Sequence, residues 1–238
     1  MTTTGQRRSP RRTEALSRER IVGASVELLD AAGEGGLTFR ALSERLATGP
    51  GAIYHHVANK DELLGAAVEA VVIEAVGAPG AQGTPEDAIR AVATGLFDAA
   101  DAHPWLAPQL AGRIARSQWG TVVPRLFESL GRQIRALGAP EGAWFTATSA
   151  LLHYILGAAG QNATNTEKAH ALGPDTDRAE FLDAVSTAWE RLDPDDYPFT
   201  RAVADQMRGH DDREQFLAGV DLMLAGIASL PPSGGTAT

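Results

Sequence analysis

The stretch PGAIYHHVANK, Pro50 to Lys60, concentrates hydrogen-bonding groups in a short span. It holds a phenol (Tyr54), two imidazoles (His55, His56) and an ammonium (Lys60), preceded by a Pro-Gly-Ala segment with almost no side-chain bulk. Phenol, imidazole and ammonium groups donate to phosphate oxygens, and a small outer face lets a helix come close to whatever carries them. The Ala52 methyl suits contact with a thymine methyl, and His55 can reach a base edge or a phosphate. Metal binding is the competing chemistry for His55 and His56. Adjacent helical residues project about 100° apart and no third ligand stands nearby, so the pair makes no ligand set. Catalysis has less to work with. The chain has no cysteine, no GxSxG elbow, no phosphate-cradling glycine loop and no HExxH pair. The acidic pairs Asp195-Asp196 and Asp211-Asp212 fall where loops or helix caps explain them. An enzyme is not expected, nor is a metal or a cofactor.

A pair of short helices must hold this face. Thr38 can cap the first, with Leu37 and Leu42 spaced as a hydrophobic staple. Ala47-Thr48-Gly49 breaks it, and Pro50 stands where proline opens a helix. Residues 39–56 therefore read as a helix-turn-helix, in which the second helix enters the major groove with its N-terminal end leading. Ile53 and Val57, four apart, form its inner face. Upstream, Ser17 is the expected N-cap of a helix that places Ile21, Ser25, Leu28 and Ala32 on one face and stops at Gly33. Downstream, Asn59 and Glu62 suit a capping box for a helix carrying Leu63, Leu64, Ala67, Val71, Val72 and Ala75. The candidate DNA-contacting set is Arg40, Thr48, Pro50, Gly51, Ala52, Tyr54, His55, His56 and Lys60.

Charge supports a nucleic-acid partner for this region alone. The net charge is −9, yet residues 1–60 carry nine Lys/Arg against six Asp/Glu, or +3; the remainder carries 12 against 24, or −12. A basic head and an acidic body is the distribution expected when only the head meets phosphates. No apolar run approaches the roughly 20 residues of a membrane span and no signal peptide is evident, so a cytoplasmic location is expected and a membrane partner is not.

The rest of the chain reads as helices with no alternating strand pattern: about 85–102, 106–116, 122–137, 140–161, 178–192 and 211–229, with Thr84 and Asp87 capping the first. GAPGAQGTP, residues 77–85, is the clearest break, and 162–177 and 193–198 read as loops. The predicted fold is all-α. Residues 1–16 are expected to be a disordered basic arm, 17–62 a helix-turn-helix DNA-binding domain, 63–230 a helical ligand-binding and dimerisation domain, and 231–238 a disordered tail.

LTFRALSERLATGPGAIYHHVANKDELLGAAV, Leu37–Val68, resembles the tetracycline-repressor (TetR) family of bacterial transcription regulators. The resemblance lies in Leu42 and Leu46, then Ile53-Tyr54 and His56, then Asn59-Lys60 before an acidic-Leu-Leu helix. The family usually has Gly, an aliphatic residue and Ser where Ala47, Thr48 and Gly49 stand, so the turn is expected to pack less tightly. HYILGAAG (153–160) and FLAGVDLMLAGI (216–227) resemble the two helices that form a four-helix dimer interface in the tetracycline repressor's own subgroup. The resemblance thereby implies a homodimer, with Tyr154, Gly157, Gly160, Gln161, Gly219, Leu222, Met223 and Gly226 at the interface. It also implies a double-stranded palindromic operator and a small effector inside the C-terminal bundle. The residues then expected around the effector are Trp105, Arg113, Arg116, Trp119, Trp144, Thr148, His153, Asn162 and Trp189, although for any one aromatic taken alone core packing is the better reading. Leu110 and Val76 stand where the repressor's magnesium-chelate histidines align, so tetracycline is not the expected effector. The expected function is a repressor released from DNA by a largely apolar small molecule; the alternative is a ligand-independent helical architectural protein.

Overall fold

A computed structural model describes residues 15–77, 83–115, 120–172 and 178–231. Those residues contain helices and no strand. The arm over 1–14 and the tail over 232–238 lie outside them. Two compact units result, one ending at Ala67 and the other beginning at Val68.

The first unit contains α1 (Arg18–Gly36), α2 (Phe39–Arg45), α3 (Pro50–Tyr54) and the start of α4 (Lys60–Val76). Ser17 caps α1, its side chain accepting from the Arg20 amide. The expected stop at Gly33 is partial: helical geometry breaks at Ala32 and Gly33, the glycine at φ 60°, but a further helical turn follows to Gly36. The buried face of α1 differs from expectation. It carries Ile21, Val22, Ala24, Ser25 and Leu29, while Ala32 is exposed because the backbone has already left the helix there. Buried Ser25 donates to the Ile21 carbonyl, 2.8 Å away. Thr38 Oγ1 accepts from the Ala41 amide at 3.1 Å, and the staple residues Leu37 and Leu42 are fully buried. The Asn59 cap forms half of its expected box. Asn59 Oδ1 accepts from the Glu62 amide at 2.9 Å, but the Glu62 carboxylate returns to the Ala58 amide (2.7 Å).

The second unit is a bundle of α5 (Pro85–Ala102), α6 (Leu106–Ala115), α7 (Val122–Ala136), α8 (Trp144–Leu172) and α12 (Asp212–Ala228). It also holds α9 (Arg178–Glu190), α10 (Pro198–Ala202) and α11 (Ala204–Arg208). α8 is the central member, packed on α5, α6, α7 and α12. Its core includes Ile89, Leu96, Leu106, Leu126, Leu130, Leu151 and Ile155. Thr84 and Asp87 complete a capping box on α5. Two expectations fail. α8 runs on to Leu172 through a segment read as a loop. Two short helices, α10 and α11, were missed, being too short to show a period. They pack with α9, where Arg208 meets the carboxylates of Asp183, Glu190 and Asp205 and Ser186 donates to the Ala204 carbonyl. No described helix is long and apolar enough to cross a membrane.

Candidate nucleic-acid interface

α3 is a five-residue helix, too short to be stable alone, so its neighbours must fix it. Ile53 is fully buried and Val57 nearly so, which seats the inner face. On the outer side Pro50, Gly51, Tyr54 and His55 are exposed and Thr48, Ala52 and His56 half-exposed. Nothing lies near the position a Gly51 Cβ would take. Tyr54 stacks on Phe39, the first residue of α2, with ring centroids 4.3 Å apart and planes 14° from parallel. That stack holds the phenol at 53% exposure. Phe39 is a positioning residue that sequence reading missed; its spacing from Tyr54 has no helical period to signal it.

The turn between α2 and α3 is closed by two backbone bonds. The Thr48 amide donates to the Ser43 carbonyl (3.0 Å) and the Ala47 amide to that of Glu44 (3.3 Å), the paired bonds of a Schellman ending. This motif needs a left-handed residue at Ala47, whose φ is 49°, the positive-φ non-glycine among the described residues. Gly49 then caps α3 with no side-chain bond, and Pro50 follows at the first position.

Charges tie the ends of these helices together. Arg18 Nη1 donates to the His56 carbonyl (2.6 Å) and to Glu62 Oε1 (2.8 Å). Lys60 Nζ donates one of its three hydrogens to the Glu34 carbonyl at 2.7 Å, bracing the end of α1. The Ala58 amide and then Arg18 hold the Glu62 carboxyl below the usual carboxylate range. Arg40 is open to solvent, its side chain 89% exposed and paired along the helix with Glu44 at 2.9 Å. Arg45 pairs with Glu27 across an open groove of about 650 Å³ lined by these two with Arg20, Gly23, Ala24 and Leu46.

The expected effector residues are spread over α6 and its start, α8 and α9. Arg116 and Trp119 lie outside the described residues. Trp144 donates its indole N–H to the Ala139 carbonyl (2.7 Å) and carries the Arg135 guanidinium over its ring at 5.3 Å. Buried Thr148 donates to the Trp144 carbonyl at 2.7 Å. Asn162, also buried, donates to Asp101 at 3.1 Å. Thr148 and Asn162 stand about 21 Å apart along α8, at roughly 1.5 Å per residue, too far to share one small cavity. His153 is exposed, Trp189 is half-buried on α9, and Trp105 is buried beside His103. Half-buried Arg113 on α6 is near Trp105 in sequence.

The expected interface residues also divide. Tyr154 donates to the Phe216 carbonyl (3.0 Å), stacks on that ring, and fills the space over Gly219, where a Cβ would overlap the phenol. Burial pushes its phenol above the usual value. Gly160 admits Ala107, 3.4 Å from where its Cβ would lie. Tyr154, Gly160 and Gly219 thus have their explanation within one chain, in the seating of α8 on α6 and α12. Gly157, Gln161, Leu222 and Gly226 face outward, Leu222 at 76% exposure, and Met223 is half-buried.

Residues 21–67 match the family described as "Bacterial regulatory proteins, tetR family", and residues 78–230 match "Tetracyclin repressor-like, C-terminal domain". The transcriptional regulator SCO7222, a TetR from Streptomyces coelicolor, is 68% identical over 91% of this chain and 99% of its own, with a TM-score of 0.83. The HTH-type transcriptional repressor DrrR1 of Streptomyces coeruleorubidus is 28% identical over 95% of this chain and 83% of its own length. The TetR family protein ActR of Streptomyces coelicolor, solved in complex with actinorhodin, shares the fold at a TM-score of 0.72. It is 24% identical over 90% of this chain and 96% of its own.

Proposed function

The chain belongs to the tetR family of bacterial regulatory proteins, and from that premise we propose that it is a homodimeric repressor, released from a palindromic operator by a small, largely apolar effector. The observation that carries the DNA-reading half is the two-sidedness of α3. Its inner residue Ile53 is fully buried, while Pro50, Gly51, Tyr54 and His55 stand in solvent on a surface small enough for close approach to base edges. Thr48, Ala52 and His56 border that surface, and Arg40 offers an exposed cation beside it.

One such helix contacts few bases. Two, set about 34–36 Å apart by a two-fold axis, read successive major grooves. The outward stripe of His153, Gly157 and Gln161 on α8, with Leu222 and Gly226 on α12, is the face proposed to pair. The name of DrrR1 favours repression over activation. An effector would act by binding more tightly to the conformation that reads DNA less well, because coupling between two sites is reciprocal. Trp105 and Arg113 remain the candidates for its contacts.

The test is a gel shift with the DNA upstream of the chain's own gene, titrated with salt and then with apolar compounds that raise its melting temperature. A sequence-selective complex that weakens steeply with salt and is released by one of those compounds is expected. A complex that no compound releases favours the architectural alternative, and absence of any selective shift contradicts the regulator reading.

A further inference from the structure

We infer that Arg18 and Glu62, a pair partly open to solvent, form a positioning pair that sets the direction of α3 against DNA, with the Arg18 guanidinium bonded to the protein rather than to a phosphate. The inference rests on the reading of α3 as the DNA-reading helix. The geometry that supports it is closed on three sides. Both hydrogens of Arg18 Nη1 are engaged, one on the His56 carbonyl at 2.6 Å and one on Glu62 Oε1 at 2.8 Å. The second carboxylate oxygen of Glu62 accepts the Ala58 amide at 2.7 Å. One arginine from the first position of α1 and one glutamate from the first turn of α4 therefore grip the two ends of the segment His56–Ala58, which leaves α3.

That segment needs a grip. The carbonyls ending a helix have no partners of their own, and α3 is too short to hold its course by internal bonds. Its start has no side-chain cap. Ile53 fixes its depth and the Phe39–Tyr54 stack fixes one flank; the bond to the His56 carbonyl fixes the far end. Bonds with an ionised partner are shorter and stronger than neutral ones. Charges near the segment include Glu19 beside Arg18, whose carboxyl is held low by backbone and Ser17 bonds and less by His56, Lys60, which donates to the Glu34 carbonyl, and Asp61 next to it in sequence. Base recognition depends on where α3 points, whereas phosphate attraction depends on charge. Loosening the pair should therefore cost operator selectivity and leave binding to arbitrary DNA nearly unchanged.

The full-length protein, with Arg18→Met, Glu62→Gln and the double variant, decides this. The probes are a duplex selected by the unmodified protein from a random-sequence pool and a scrambled duplex of equal length. Arg18→Met, which loses both bonds, should weaken binding to the selected duplex roughly 5- to 30-fold, and Glu62→Gln, which keeps an oxygen acceptor at a partly exposed pair, roughly 2- to 5-fold. Binding to the scrambled duplex should change less than about twofold, with the salt slope unchanged. The double variant should be about as weak as the weaker single one, because both remove the same contact. Amide hydrogen exchange at Val57 and Ala58, read without DNA, should quicken in both single variants. A phosphate contact gives the opposite pattern and overturns the inference. Arg18→Met then weakens both duplexes alike and lowers the salt slope by about 0.9, while Glu62→Gln, which removes a negative charge, does not weaken either. If the unmodified protein selects no duplex, the regulator reading falls on its own, and unchanged exchange at Val57 and Ala58 overturns the pair.

Discussion

Replacing Ala47 with glycine should stabilise the DNA-binding unit. Ala47 occupies the position after the end of α2 where the two closing bonds, Thr48 to Ser43 and Ala47 to Glu44, require a left-handed backbone. The same ending recurs in this chain. At the end of α7 the Ala139 amide reaches the Ile134 carbonyl (3.4 Å) and the Gly138 amide that of Arg135 (3.0 Å), with Gly138 at φ 84°. One motif is thus made with glycine and once with alanine. A left-handed conformation costs a residue with a Cβ roughly 1–2 kcal/mol. Glycine avoids that cost but loses about 0.5–1 kcal/mol more backbone freedom on folding. The net gain expected for Ala47→Gly is then between about 0 and 1.5 kcal/mol, centred near 0.75 kcal/mol, and Gly138→Ala should lose a comparable amount. The second ending has a further advantage in the buried pair Ala139 and Ile134, whereas the first has Thr48 and Ser43. With two compact units a single melting temperature mixes their contributions. The assay is therefore native-state hydrogen exchange of the buried amides of Leu42 and Ile53 for Ala47→Gly, and of Leu130 and Ile134 for Gly138→Ala. Slower exchange in the first variant and faster in the second is expected. Destabilisation by Ala47→Gly would refute the claim that the turn before α3 is strained.

Gly219→Ala should destabilise the bundle by about 1–3 kcal/mol, since the new Cβ overlaps the Tyr154 phenol; thermal unfolding should show this loss largely removed in a Tyr154→Ala background. Leu222→Glu places a charge at the centre of the proposed pairing face without touching the core, so sedimentation should find a shift from dimer to monomer with helix content kept. The Glu62 carboxyl lies below its ordinary value of 4.5 when folded, so its contribution is complete above pH 4.5 and is lost as pH falls through the lower folded value. Between those limits the exchange protection of Ala58 should decline with acid in the unmodified chain and stay flatter in Glu62→Gln.

What the sequence made legible was local. Thr38, Ser17, Thr84 and Asp87 announce their helices because a cap is a contact between residues three apart. Ile53 and Val57 could be placed inward from spacing alone, and Ala47-Thr48-Gly49 marked the turn, although not its strain. What stayed hidden was tertiary. Arg18 gave no sign of reaching the His56 carbonyl, nor Phe39 of stacking on Tyr54, since no period connects positions so far apart. Gly160 and Gly219 signal close approach, but the sequence does not say to what, and packing within the chain answers with Ala107 and Tyr154. The C-terminal aromatics were hardest, because a ring that lines a cavity and a ring that fills a core have the same hydropathy; Trp144 is tied to Ala139 and Trp189 lies on another helix.

The central claim is that the outer face of α3 reads DNA in duplicate, and the most direct measurement is the stoichiometry of the complex on a selected palindromic duplex. Sedimentation at several salt concentrations should find two protomers bound together per duplex, with affinity falling steeply as salt rises and disappearing when half-site spacing is changed by half a helical turn. Binding of single protomers, indifferent to that spacing, would contradict it.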